Sequence, residues 1–150
     1  METMSISDRK LIAVPPGDLG RIWPQIRSEV ASVEAPDGFL IEDVYAMCRS
    51  GEAALFVLNV DGERIGWTVL RLLGRDLHIW LLYAKPGFDP MSVFRPHLMD
   101  IARTATPLPA LKLTFGSARK GWAKVAPKHQ FRVRHTTFEC DVESLDPPCT

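Results

Sequence analysis

Short apolar runs along the chain alternate with stretches whose apolar positions recur at helical spacing. Leu11 to Val14 is an apolar run closed by Pro15-Pro16-Gly17, which predicts a first strand at a sheet edge. Asp18 then stands where it can cap a helix carrying Leu19, Ile22, Trp23, Ile26, Val30 and Val33 on one face. Pro24 falls inside that pattern and predicts a kink or a break into two helices. Ala35-Pro36-Asp37-Gly38 predicts a turn, and Ile41, Val44, Tyr45 and Cys48 a second helix ending near Ser50-Gly51.

Two strand patterns follow, Ala54–Val60 and Arg64–Leu73, separated by Asp61-Gly62, a dipeptide suited to the positive φ angles of a tight hairpin. Gly74-Arg75-Asp76 predicts another turn. Leu77–Ala84 then returns as a strand with apolar side chains on both faces and His78 as its polar exception, so the sheet should be covered on each side. Phe94, His97, Leu98, Ile101, Ala102 and Ala105 form a helical stripe that ends in Thr106-Pro107-Leu108-Pro109. Leu111, Leu113 and Phe115 alternate with polar residues as a fifth strand. Gly116-Ser117 leads into a helix of about ten residues that packs Trp122 and Val125 and is ended or distorted by Pro127. Thr136, Phe138, Cys140 and Val142 alternate with Thr137, Glu139 and Asp141 as a sixth strand with one buried face, before a tail from Ser144 to Thr150. The expected fold is α/β of mixed-sheet type, in the order β-α-α-β-β-β-α-β-α-β. Its sheet is central and mostly antiparallel, with helices on both faces.

Composition narrows this reading only slightly. The 150 residues, 46% of them hydrophobic, suit one domain, with a core over about residues 11–142. Charges balance at 18 basic against 18 acidic, but no acidic residue lies between Asp100 and Glu139. Arg119, Lys120, Lys124, Lys128, Arg132 and Arg134 fall in that interval and make a candidate interaction surface. It could meet a protein partner or a nucleic acid, or it could be a solvated helix face and strand face. The three cysteines show no C-x-x-C spacing, so neither a disulfide framework nor a metal site is expected. No apolar run approaches the roughly 20 residues that span a bilayer, and METMSISDRK is not followed by a signal-type apolar core, so the expectation is a protein with no membrane partner that is cytoplasmic or carried inside a particle assembled in a cytoplasm.

The stretch most able to carry chemistry is the strand–turn–helix junction around Lys85-Pro86-Gly87-Phe88-Asp89-Pro90, because a helix N-terminus presents free N–H groups to an anion. Asp89 followed by Pro90 is a favourable cap and first-turn pair, so the Asp89 carboxylate is expected to take the amide bonds an anion would use. His78 is either a base or a hydrogen-bonded core histidine. His97 on the apolar stripe and the inward-facing Cys48 are expected to be packing residues. No H-E-x-x-H, G-x-S-x-G or G-x-x-x-x-G-K pattern occurs.

The order of elements over about residues 11–142 resembles the GNAT (Gcn5-related N-acetyltransferase) superfamily. Two segments carry the resemblance. Ala84-Lys85-Pro86-Gly87-Phe88 is similar to the family's V-x-P-x-[YF] at the end of the fourth strand, and Ser117-Ala118-Arg119-Lys120-Gly121-Trp122, running to Phe131, is similar to its fourth helix and the Gly-Phe that follows. The R-K-G-W wording also resembles small GNAT-like proteins of tailed bacteriophages. The resemblance implies acetyl-CoA binding through [QR]-x-x-G-x-[GA], which falls on Asp89-Pro90-Met91-Ser92-Val93-Phe94, and each key position departs from it. It also implies a tyrosine as general acid, and that position falls on Ala126. The expectation is therefore a non-catalytic GNAT-fold component, associated with a virion or its assembly and without a cofactor. The alternative is a divergent N-acetyltransferase that holds acetyl-CoA through Lys85, Gly87, Ser92 and Arg95, with His78 or Tyr83 at the reacting carbonyl. A second alternative is a nucleic-acid binder.

Overall fold

The computed structural model describes residues 9–33, 41–116 and 122–142. The chain divides into two compact units, one up to Lys120 and one from Gly121. In the first unit a five-stranded sheet runs in the order β1 (Arg9–Val14), β2 (Ala54–Val60), β3 (Glu63–Leu73), β4 (Asp76–Ala84), β5 (Lys112–Phe115). Neighbours are antiparallel except β4 and β5, which are parallel, as their joining by helix α3 (Pro90–Thr104) requires. The mixed α/β class is as expected, and β1 does lie at an edge. Asp61 and Gly62 take φ of 52° and 83° in the β2–β3 turn.

Helices α1 (Leu19–Ser32) and α2 (Ile41–Ser50) bury Leu19, Trp23, Ile26, Val30, Val44 and Cys48 against Leu55, Val57, Trp67, Val69 and Leu81 on one sheet face. Pro24 does not break α1, which runs through it as one helix. A proline removes one amide donor, and the burial of the α1 face opposes that loss. Asp18 makes no side-chain cap bond; its carboxylate lies 3.8 Å from Arg21 after a 3₁₀ turn at Pro16–Asp18. Helix α2 ends as expected, at Ser50 before Gly51 with φ of 87°. The 35–38 turn lies outside the described residues.

Helix α3 covers the other face. It buries Met91, Val93, Phe94, Leu98 and Ala102. Gly66 is adjacent to Trp67 and so points to the opposite face, where a Cβ would stand 3.2 Å from Phe94 Cζ. Two strand irregularities set the geometry. Leu58 pairs with Gly66 but Asn59 with Arg64, leaving Ile65 as an extra residue in β3; Val69 pairs with Leu81 but Leu70 with Ile79, leaving Trp80 extra in β4. The Ile65 carbonyl accepts the Lys85 N–H at 2.8 Å, and Thr68, fully buried, donates its hydroxyl to the Leu81 carbonyl at 2.8 Å. Each bulge thus has its displaced backbone group satisfied.

The second unit contains α4 (Trp122–Val125) and a 3₁₀ turn, Ala126–His129, so Pro127 does end the α-helix. The beginning of the expected ten-residue helix lies outside the described residues. Residues 131–142 form no strand, and Val133, Phe138 and Val142 are 81%, 89% and 95% exposed. The expected sixth strand with a buried face is therefore absent from the described residues. Alternation is a property of the segment alone, whereas a strand needs a partner edge, and no pairing involves these residues.

Candidate functional site

The β4–α3 junction is built by a Pro-Gly turn. Phe88 N–H bonds the Lys85 carbonyl at 3.3 Å, and Gly87 takes φ of 97°, the positive angle that the third position of such a turn demands. Helix α3 starts at Pro90, and its first ladder bond runs from Val93 N–H to the Asp89 carbonyl at 3.2 Å. The expected cap is not made. Asp89 forms no side-chain bond to the helix amides, and its carboxylate instead accepts the Ser92 hydroxyl at 2.6 Å. The Asp89 side chain therefore does not take up the N–H groups of the first turn, although its carboxylate stays beside the helix end.

The other departures from the expected loop also take on definite roles. Phe94 is fully buried beneath Gly66, so its bulk lies in the core and not over the helix end. The chain has exchanged bulk across the layer, with a glycine on β3 where the sheet backbone passes and a phenylalanine on α3 that fills the space. Lys85 is half-exposed, and its ammonium lies 3.5 Å from Glu63. Gly87 and Ser92 are exposed and Arg95, in the second turn of the helix, is half-buried. The structure therefore gathers the four sequence-selected residues Lys85, Gly87, Ser92 and Arg95 around one junction.

His78 and Tyr83 are not gathered in the same way. Strict alternation would put them on opposite faces, but the extra residue Trp80 places both on the α1–α2 face: His78 is opposite Arg71, whose guanidinium covers the Trp80 ring, and Tyr83 packs on the α1–α2 core. Five residues of strand hold them about 15 Å apart, too far to act on one carbonyl. His78 Nδ1 is bound to Thr114 Oγ1 at 2.8 Å across the β4–β5 pair, which fixes the ring and fits the hydrogen-bonded reading. Tyr83 stacks on Trp67 with centroids 5.7 Å apart at 14°, and Trp67 donates its indole N–H to Glu29 of α1 at 2.8 Å. Neither Arg71 nor Glu29 stood out in the sequence. A charge at an inward position of an otherwise apolar strand, as at Arg71, was the available signal.

Among the described residues, β4 and β5 pair from Asp76–Lys112 to Ile79–Phe115, and β4 runs on to Ala84, with the Trp80 bulge directly after the last of these pairs. Of the basic residues, Lys124, Lys128, Arg132 and Arg134 are exposed in the second unit, and Arg119 and Lys120 lie outside the described residues. Cys48 is 4% exposed, and burial raises its thiol pKa to about 11, in keeping with a packing role. Among the described residues no helix is long and apolar enough to cross a membrane.

No family model and no curated protein matches the chain. Solved structures do. The aminoglycoside N-acetyltransferase AAC(6')-Iy in complex with CoA matches with a TM-score of 0.64 at 13% identity, over 95% of this chain and all of that one. The ribosomal-protein-alanine N-acetyltransferase of Brucella melitensis biovar Abortus 2308 matches at 0.58 and 12%, over 90% and 98%, and an acetyltransferase of Trypanosoma brucei at 0.55 and 16%, over 90% and 100%. The fold is that of the GNAT acetyltransferases.

Proposed function

We propose that the chain is a divergent acyl-CoA-dependent N-acyltransferase that holds the cofactor pyrophosphate at the start of α3. The carrying observation is the state of that helix end, where Asp89 is bound to Ser92 instead of to the helix amides. This favours the enzymatic reading over the expected component without a cofactor. The residues present fit the group: the amides of the first turn, the Ser92 hydroxyl and the cations Lys85 and Arg95 supply donors and charge. Gly87 keeps the approach free of a side chain. Acetyl-CoA would supply an activated acyl thioester, and this chain's part is to orient it along β4 beyond the end of β5. Fold neighbours solved with CoA, and with a CoA bisubstrate analogue, support the reading.

A second reading, binding without transfer, is favoured by a different observation. Pro90 offers no N–H, the Asp89 charge opposes phosphate, and His78 is engaged by Thr114. On that reading the exposed cations of the second unit, Lys124, Lys128, Arg132 and Arg134, meet a protein partner.

Calorimetric titration of the full chain with acetyl-CoA tests the proposal. A dissociation constant below about 100 μM is expected, several-fold tighter in Asp89→Asn and in Glu63→Gln, which removes the carboxylate beside Lys85, and weaker in Lys85→Glu. Absence of saturable binding up to about 1 mM overturns the proposal. Binding with no CoA thiol released across a panel of primary amines leaves the second reading standing.

A further inference from the structure

The α1–α2 face of the sheet carries a charged side chain whose surroundings leave it incomplete. Arg71, on β3, is half-buried, and its guanidinium lies 5.5 Å from the centre of the Trp80 ring. Its Nε is shut off from solvent and has no hydrogen-bond partner, and among the described residues the guanidinium makes no other hydrogen bond or ion pair. Buried polar groups are satisfied as a rule, and an arginine with its planar fork of five donors is the side chain least suited to standing unpaired in a partly dry site. The cross-strand neighbour is His78, which is itself held by Thr114 at 2.8 Å, and the platform beneath is Trp80, brought to this face by the β4 bulge. The result is a fixed, flat, cationic seat with ring systems on two sides.

We propose that Arg71, seated on Trp80 beside His78, receives the carboxylate of a small ligand docking on this face. A carboxylate matches the guanidinium fork in plane and spacing, and a short shift of the side chain along the indole would bring Nε into the bond. The His78–Thr114 pair walls the seat on the β5 side. The site is separate from the α3 helix end and does not rest on cofactor binding there.

Tryptophan fluorescence of the full chain, titrated with acetate, N-acetylglycine and inorganic phosphate at constant ionic strength, tests this. Both carboxylates should give a saturable change, about tenfold weaker in Arg71→Gln, only partly weakened in Arg71→Lys, and absent as a signal in Trp80→Phe. Phosphate should bind more weakly than either. Saturating N-acetylglycine should raise the melting temperature of the wild type and leave that of Arg71→Met unchanged, a readout independent of fluorescence. Acetyl-CoA affinity should be the same in Arg71→Gln as in the wild type, which separates this proposal from the cofactor reading. Carboxylate binding undiminished in Arg71→Gln, equal response to every anion, or no saturation overturns it.

Discussion

Single residues show how burial and charge decide between roles that the sequence leaves open. Cys48 is a clear case, since a thiol on a helix can be a nucleophile or a core side chain. Burial raises its pKa from 9.0 to about 11, because the thiolate would sit among Leu55, Val57 and the α1 side chains. The folded state therefore holds the proton more tightly than the unfolded chain. Stability from this site is complete below about pH 9 and is lost progressively as pH rises through 11. Urea unfolding between pH 8 and 11 should show a steeper decline for the wild type than for Cys48→Ala. Parallel curves for the two proteins would mean that the thiol is not held in its neutral form. At neutral pH the same burial makes exposed Cys140 react with a disulfide reagent well before Cys48.

At the scale of elements, β3, β4 and α3 approach closely at one point, and Gly66 allows it. A Cβ there would fall 2.3 Å from the Tyr83 carbonyl oxygen and 3.2 Å from both Ala84 Cα and Phe94 Cζ. Two of the three obstacles are backbone, so the strands cannot make room by a rotamer change. Gly66→Ala should destabilise by about 2–3 kcal/mol in chemical denaturation, with a larger loss for Gly66→Val. A neutral Gly66→Ala would mean that β3 and β4 separate readily enough to admit a Cβ.

The same elements mark where sequence reading stops. The hairpin, both α1 and α2, and the α3 stripe were legible because each is a local pattern: Asp61-Gly62 for the turn, and apolar spacing for the helices. The bulges at Ile65 and Trp80 were not, because an extra residue is defined only against the partner strand. Their consequence is large, since the Trp80 bulge alone puts His78, Trp80 and Tyr83 on one face. The cap at Asp89 was misread for a related reason. Asp-Pro is a sound cap signal, but Ser92 competes for the same carboxylate, and which donor wins depends on geometry at the turn.

Across the whole molecule, burial is unevenly shared. In the first unit, α1, α2 and α3 cover both faces of the sheet, and Trp67, Phe94, Leu58 and Leu81 are essentially out of solvent. In the second unit the segment 131–142 has neither helix nor strand, and the apolar residues that were to form a buried face are almost fully exposed. Local opening costs little where few apolar contacts must be broken, so the two units should differ sharply in resistance to a protease. Arg132 and Arg134 offer trypsin two exposed sites within that segment, while Arg64 and Arg71 lie in strands of the sheet. Among the described residues, brief digestion of the full chain should cut first at Arg132 or Arg134, with cleavage at Arg64 and Arg71 slower by orders of magnitude. Mass spectrometry of the early fragments reads this directly. Early cleavage within β3 would mean that the sheet opens as readily as the exposed segment. Protection at Arg132 and Arg134 would mean that residues 131–142 find a partner strand in solution, and the alternation of Thr136, Phe138, Cys140 and Val142 would then have its explanation.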